Sequence, residues 1–492
     1  MSPVTDPAQH AVLMLVVPLA GALLISLTGR WPNVRDGLML VTAATLFVLA
    51  TGLVDPVLHG NGVSLVLAEP FPGLALALDI EPLGLVFTLL ASLLWLVTSV
   101  YAIGYMRGNR EARQTPFFAF FAISIAATMG VAMSGNLLTL FVFYEVLTLS
   151  TWPLVTHKRN DAARAGGRTY LGVLLLGSFA LLLPAIVWTW SVAGTTDFTP
   201  GGILAGRIDP LPAAILLTLF VLGTAKAAVM PMHRWLPAAM VAPTPVSALL
   251  HAVAVVKAGV FTILKVVIYI FGLDFLAGVP AERYLVWLAG FTVISASVVA
   301  LKQVEIKRLL AYSTISQLSY IVLAALVLAP LAEIGAGVHV VAHAFGKITL
   351  FFCAGAIYVA SKKTRVDQLD GIGRRMPWTM VAFAIGALSM IGVPPTAGFV
   401  SKWYIIAGAF QADDLFVLAV LVASTALNAA YFLPIVYRAF FRRESDAPAV
   451  DHREAPWPMV VALTFTAAAT IAFFVFNAPV VEIESRVLEV SR

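Results

Sequence analysis

The sequence predicts an all-α polytopic membrane protein of about 14 transmembrane helices. Three observations carry that expectation. The 492 residues are 60% hydrophobic and only 12% charged, whereas a soluble domain has about 45–50% apolar and about 25% charged residues. Mean hydropathy is +0.93. The apolar residues also fall in runs of about 20, the length that crosses hydrocarbon. The bilayer then solvates the apolar surface, and each backbone polar group must be paired within the chain.

In chain order the spans fall near residues 10–28, 37–54, 82–105, 115–133, 136–156, 169–192, 211–231, 244–271, 284–301, 309–329, 334–360, 378–410, 415–437 and 457–477. The first has no basic region before it and no cleavage motif after it, so it reads as an uncleaved span rather than a signal peptide. Between about residues 55 and 81 there is no Lys or Arg, and the weak alternation of VSLVLAEP and LALAL fits a small hairpin. Pro231 interrupts the seventh apolar run. Pro394, Pro395 and Gly398 interrupt the twelfth, because proline removes a helix hydrogen bond and frees carbonyls nearby. The largest loop on the basic side runs from Arg438 to Glu454.

The loops alternate in charge. One set holds 22 of the 31 basic residues, including Arg107, Arg110, Arg113, Lys158, Arg159, Arg164, Arg168, Lys362, Lys363 and Arg365. The opposite set holds Arg207, Arg283, Arg486 and Arg492. Basic loops stay cytoplasmic, so both termini are expected outside. One missed span would scramble this alternation. The net charge of +5 therefore reports orientation and not nucleic-acid binding. Cys353 is the only cysteine, which excludes an intramolecular disulfide and a cysteine-based metal site. No soluble domain or nucleotide-binding glycine loop is present, so no cofactor is expected.

The remaining five basic residues lie inside apolar spans: Lys226, Lys257, Lys265, Lys347 and Lys402. With them lie Glu145, His251, His339 and His343. An ionisable group at the centre of a span costs about 2.5–3.5 kcal/mol on insertion scales, and such groups mark ion pathways. Nine in one chain point to a route for protons or cations.

Glu145 lies mid-span in LFVFYEVLTLSTWPLV, with Lys226 as its natural partner; the alternative is a neutral interhelical hydrogen bond. Lys226 lies five residues before Pro231 in LFVLGTAKAAVMPMHRWLP. If the distance between Lys226 and Glu145 changes, the lysine takes up and releases a proton, which makes a two-residue switch; the alternative is a lysine snorkelling to the cytoplasmic edge. His251 and Lys257 share one span but are six residues apart, about 120° on an ideal helix. They point to different neighbours unless the helix is distorted. Lys265, nearer the outer end, fits a relay or an anchor equally. His339, His343 and Lys347 run i, i+4, i+8 along one stripe. Histidine titrates near neutral pH and can pass protons on. Two histidines at i, i+4 can also bind zinc, but no third ligand is evident. Lys402 stands just past the second break. Two interrupted helices, each with one lysine, suggest internal repeats with sites at the interruptions. Thr244, Ser247, Ser313, Thr314, Ser316 and Gln317 would complete a hydrated seam, or serve only in helix packing.

These residues together resemble the family of proton-conducting antiporter-like membrane proteins. Its members are the A-type and D-type components of Mrp-type cation/proton antiporters, the three antiporter-like components of respiratory complex I, and relatives in membrane hydrogenases. The resemblance covers nearly the whole chain and is strongest in NLLTLFVFYEVLTLSTWPLV, GTAKAAVMPMHRWLPAAMVAPTPVSALLHAVAVVKAGVF, EIKRLLAYSTISQLSYI and GVPPTAGFVSKW. It implies an N-terminal three-helix segment (1–114), two inverted five-helix repeats (115–271 and 284–437), and a final loop, span and external tail (438–492). It also implies two half-channels joined by a polar axis. Glu145 and Lys226 would form the first-repeat pair. His251 and Lys257 would be the central relay, His339, His343 and Lys347 its continuation, and Lys402 the terminal group. The chain ends soon after its last span, unlike the longer members that carry a lateral helix. Lys402 and SALLHAVAVVKAGVF are most similar to the D-type component of Mrp antiporters. The complex I component nearest the peripheral arm also has a lysine there, and LLAYSTISQLSYI leans toward complex I and hydrogenase relatives.

The resemblance implies a protein that conducts protons within a multi-subunit antiporter, exchanging Na⁺ or another monovalent cation for H⁺ across the bacterial inner membrane. Other membrane subunits would be its partners. A redox-driven pump module is the alternative, with the same lysines moving protons. Coupling to uptake of a substrate such as inorganic carbon is a third reading.

Overall fold

The computed structural model describes residues 7–59, 63–71, 73–444 and 453–491. The described chain is a helical membrane protein with one small hairpin. The spans are α1 (Pro7–Leu27), α2 (Pro32–Thr51), α3 (Pro82–Gly108), α4 (Gln114–Ala132), α5 (Leu137–Val155), α6 (Asp161–Ala193) and α7 (Pro210–Gly223). They continue as α8 (Thr244–Phe271), α9 (Ala281–Leu301), α10 (Ile306–Leu326), α11 (Pro330–Ser361), α12 (Pro377–Ile391) with α13 (Ala397–Gln411) as the second half of the same broken run, α14 (Leu415–Phe441) and α15 (Trp457–Val475). A last helix, α16 (Ala478–Ser491), follows the final span.

Local chemistry sets many of the ends. Asn136 and Asn160 cap α5 and α6 by accepting from the amides of Thr139 and Ala163, both at 2.8 Å. Asp414 caps α14 through Val417 N–H at 3.0 Å. Such caps satisfy amides that have no partner inside the helix. Proline opens α3, α7, α11, α12 and α15, where its missing N–H costs nothing.

Among the described residues, twelve helices are long and apolar enough to cross a membrane. Two apolar helices, α7 and α12, are shorter, and these belong to the two runs expected to be interrupted. The first break starts earlier than Pro231 implies. α7 stops at Gly223, and Lys226 occupies a tight 3₁₀ turn, Ala225–Ala227, followed by left-handed Ala228. The second break separates α12 from α13 at residues 392–396. Gly398 is required there, since a Cβ would lie 1.7 Å from the Ser389 carbonyl oxygen. α6 begins eight residues before the apolar run at 169, because Asn160 caps it early.

The expected hairpin forms from β1 (Ser64–Phe71) and β2 (Leu74–Asp79), antiparallel with Ser64 opposite Asp79. Part of the 438–454 loop (445–452) and both extreme termini lie outside the described residues.

Burial is uneven among the spans. The apolar windows of α8 and α11 are wholly enclosed by protein, while those of α1, α2 and α6 are one-third enclosed. α10 is nearly as enclosed and α3 and α4 are mostly so, so α8 and α11 lie at the centre of a graded bundle whose outermost spans are α1, α2 and α6. α8 is also distorted. It contains wide turns at Leu249–Val253 and Val266–Phe271, and Ala254 leaves helical geometry at φ −120°, ψ −74°. α16 turns Ile483, Val487 and Leu488 inward against the bundle.

Candidate functional site

Every ionisable residue singled out from the sequence is buried: Lys226, His251, Lys257, His339, His343 and Lys347 are fully buried, and Glu145 is 9% exposed. They divide into a first group at the α7 break and a second along α8, α11 and α13.

The first group differs from the expected ion pair. The Lys226 ammonium donates to the Tyr144 carbonyl at 2.7 Å and to the Thr148 hydroxyl at 2.5 Å. It also lies 3.1 Å from the centre of the Tyr144 ring, a favourable cation–π placement. Both Glu145 carboxylate oxygens lack a hydrogen-bond partner. Lys226 and Glu145 interact electrostatically without bonding. The reason is local. With Lys226 on a turn, its side chain meets the α5 backbone at Tyr144, one residue before Glu145. The Tyr144 hydroxyl accepts from the Lys226 N–H at 3.2 Å, and Trp235 Nε1–H donates to the Ala225 carbonyl at 2.8 Å. Both bonds hold the break in place. Gly259 of α8 packs directly on it: a Cβ there would stand 2.3 Å from Ala227 N and 2.4 Å from the Lys226 carbonyl carbon.

In the second group the distortion at Ala254 separates His251 from Lys257. The His251 ring is tilted against Phe351, ring centres 4.6 Å apart, and both its nitrogens are unpaired. Lys257 Nζ lies 2.9 Å from His343 Nδ1, so α8 and α11 are joined by a direct lysine–histidine contact. His339 Nδ1 lies 2.8 Å from Ser401 Oγ on α13, and its ring stacks on Tyr320 with centres 5.6 Å apart. His339 also interacts electrostatically with both Lys257 and Lys402.

Lys347 donates to Ser313 Oγ at 2.6 Å, and that oxygen also accepts from the Tyr431 hydroxyl at 2.9 Å. Tyr431 in turn bonds Asn428. Lys402 donates to the carbonyls of Met390 and Ile391, both at 2.9 Å. These are the last residues of α12, where the helix dipole is negative. Lys402 therefore bridges the break by capping one half-helix from the other. Gln317 and Asn428 also donate to the Met390 carbonyl.

Lys265 does not reach solvent. It pairs with Glu81 at 2.8 Å, with side chains 1% and 16% exposed, and donates to the Ser134 carbonyl at 3.1 Å. Of the suggested polar seam, Ser313 touches Lys347, Ser316 accepts from Ser297, and Gln317 reaches the α12 end. Thr314 bonds within its own helix. Thr244 lines a cavity of about 770 Å³ at the basic end, with Lys158, Arg234, Lys307, Lys363 and Tyr105. Ser247 and His251 follow Thr244 up α8 at i+3 and i+7, and both carry unpaired polar atoms.

Sequence reasoning missed Tyr144, Thr148, Tyr320, Ser401, Asn428 and Tyr431, which hold the lysines and histidines, and Glu81, the partner of Lys265. Asn428 and Tyr431 were visible as an i, i+3 polar pair in an apolar run. Glu81 was visible as an acid at the mouth of a span. Among the described residues no group of three His, Cys, Asp or Glu is placed to hold a metal ion.

Residues 134–428 match the family described as NADH:quinone oxidoreductase/Mrp antiporter, transmembrane. The chain is 31% identical to the N subunit of the NADH-quinone oxidoreductase of Desulforudis audaxviator, covering 96% of this chain and 97% of that one. It is also 31% identical to the A/B component of a probable K⁺/H⁺ antiporter of Rhizobium meliloti, over 90% of this chain and 45% of that protein. In fold it matches a chain of the Mrp complex from Dietzia sp. with a TM-score of 0.87 at 22% identity, covering 99% and 98% of the two chains. A chain of an archaeal membrane-bound sulfane sulfur reductase matches with a TM-score of 0.85 at 22% identity, covering 98% of both.

Proposed function

The chain belongs to the NADH:quinone oxidoreductase/Mrp antiporter transmembrane family, and from that premise we propose that it is the proton-translocating part of a multi-subunit antiporter exchanging a monovalent cation, Na⁺ foremost, for H⁺. One observation carries the reading: α8 and α11, whose apolar windows are wholly enclosed by protein, carry the buried bases His251, Lys257, His339, His343 and Lys347, with Lys257 and His343 in direct contact. Structural ion pairs would neutralise one another. These groups are nearly all bases; Lys226, Lys257, His339, His343, Lys347 and Lys402 bond to hydroxyls, carbonyls or one another, and His251 is unpaired.

In this reading the basic end faces the cytoplasm, both termini face outward, and 115–271 and 284–437 act as two repeats. Protons enter through the cavity at Thr244 and rise past Ser247 to His251. Lys226 is the first switch. Bonded to Tyr144 and Thr148 it is parked; moved onto Glu145 it is paired. Lys257 and His343 hold one proton between them, because two unit charges 2.9 Å apart repel by about 5–6 kcal/mol at an effective dielectric constant of about 20. A proton arriving on one displaces the proton on the other. His339 and Lys347 carry the change to Lys402, whose hold on α12 ties it to the second break. No hydrogen bond joins Lys226 to Lys257. Their coupling runs through the backbone contact of the break with Gly259.

The near-full-length likeness to a component of an oxidoreductase favours a second reading, in which electron transfer in partner proteins drives the same proton path. One experiment separates the two. Everted vesicles holding the protein and its co-purifying partners are given a pH gradient, then Na⁺, K⁺ or Li⁺. Dissipation that Lys226→Ala and Glu145→Ala lack, with assembly retained, supports antiport and the switch. Proton movement seen only on adding NADH or another reductant supports the redox-driven reading. Wild-type transport by both variants would sink the switch.

A further inference from the structure

We propose that Glu484, on the surface helix α16, is the proton-release carboxylate at the hairpin end of the path, acting beside the Glu81–Lys265 pair. The inference rests on the proton-conducting reading and gives that path an exit.

Glu484 is oddly placed for a surface helix. α16 sets the Glu482 side chain 68% exposed and that of Arg486 38% exposed, yet Glu484 is only 4% exposed. Its Oε1 has no hydrogen-bond partner. The carboxylate is pressed onto the α11 backbone: a Cβ on Gly337 would lie 2.1 Å from Oε2 and 2.5 Å from Oε1. Gly337 is two residues from His339, so α16 delivers an acid to the helix that carries the relay histidines. A carboxylate needed only to dock α16 would have a donor; this one faces a glycine.

The groups around it are those of an exit. From the turn before α3 comes Glu81, within electrostatic reach of Glu484 and paired with Lys265 of α8. Asp79 lies beside Glu81. Tyr269 of α8 senses Glu81, Glu484 and Asp79. From α11 comes Glu333, one turn before Gly337 and on the same face. On α16 itself, Glu482, Arg486 and Glu489 line a surface groove of about 460 Å³ with Pro82 and Ser485. Glu81, whose side chain is 16% exposed, is the member of this group that meets solvent. Burial first, then the neighbouring Glu81, pushes the Glu484 carboxyl up to about 8. Burial also raises Glu81, against the opposing pull of Lys265. An acid that changes protonation near neutral pH at a water-lined end can take a proton from the relay and give it to solvent.

The test uses the complete complex in everted vesicles, where the hairpin end faces the lumen. Transport is measured as lumen pH is varied from about 6 to about 9, and the carboxyl C=O stretch is followed by infrared difference spectroscopy over the same range. We expect Glu484→Gln to assemble, to slow transport by about 100-fold or more and to flatten its dependence on lumen pH. It should also remove a carboxyl band that titrates in the wild type. Gly337→Ala displaces the carboxylate without deleting it and should reproduce the kinetic effect; it carries the test if Glu484→Gln does not assemble. Asp161→Asn, whose fully exposed side chain starts α6 at the opposite, basic end, should change nothing. Wild-type transport with an unchanged rate, pH profile and carboxyl band in Glu484→Gln overturns this inference alone. No proton movement by the wild-type complex, under a cation gradient or a redox drive, overturns the proton-conducting reading and this inference with it.

Discussion

Thr148→Val tests the parked position of Lys226. The substitution is nearly isosteric and removes one atom of consequence, the hydroxyl that accepts from the ammonium at 2.5 Å. The hydroxyl's other bond, to the Tyr144 carbonyl at 3.1 Å, is a side-chain contact within α5 that the helix does not need. A hydrogen bond to a charged group contributes about 1.5–3 kcal/mol, so the balance between parked and Glu145-paired lysine shifts by roughly 10- to 100-fold. A cycle that visits both positions turns over in proportion to the rarer one. The parked position is the one the structure holds, so weakening it enriches the rarer Glu145-paired lysine, and transport in vesicles should rise by up to about tenfold, with the complex intact by size-exclusion chromatography. Thr466→Val is the control. It removes a buried hydroxyl bonded to Thr349 at 2.8 Å, away from the lysines, and should leave turnover unchanged. Wild-type turnover in Thr148→Val would refute the idea that the parked contact belongs to the cycle.

Gly398→Ala puts a Cβ 1.7 Å from the Ser389 carbonyl oxygen and should destabilise the protein by about 1–3 kcal/mol or more. Gly172→Ala, with open space around it, should not move the melting temperature. Lys265→Met leaves Glu81 buried without its cation and should cost about 3 kcal/mol, the low end for a broken buried pair because Glu81 keeps some solvent contact; denaturation of the double variant Lys265→Met/Glu81→Gln should recover most of it. Glu484 has a folded-state pKa of about 8 against 4.5, so the folded protein binds the extra proton between those values and stability must fall as pH rises through that window. Melting temperature should be lower at pH 8 than at pH 6, and Glu484→Gln should flatten the difference; an identical slope in the variant contradicts that assignment.

The membrane class, the spans and the buried bases could be read from the sequence because hydrocarbon imposes two plain constraints: length and the exclusion of charge. The interrupted helices were legible from their prolines, but the first break was misplaced, since Gly223 ends α7 before Pro231 can. The partner of Lys226 was legible only as a neighbourhood. Whether its ammonium meets Glu145 or the Tyr144 carbonyl depends on a turn whose dihedral angles no periodicity encodes. His251 and Lys257 would diverge on an ideal helix, but the helix is distorted, and the kink at Ala254 decides where each points. Lys265 was ambiguous because its answer lay 184 residues away, at Glu81. Glu484 drew no notice because a glutamate on a terminal amphipathic helix ordinarily faces water. What buries it is a glycine on another helix, and that requires the tertiary structure.

The full enclosure of α8 and α11 bears on leakage. In the proposed proton-conducting role, the chain must also stop protons from crossing unaccompanied. Had these helices faced lipid, their lysines could have drawn head groups and water into the hydrocarbon, and each such defect would have been a short circuit. Because the other spans wrap the line of bases on every side, the insulation is provided by protein, whose thickness and composition do not vary with the surrounding lipid.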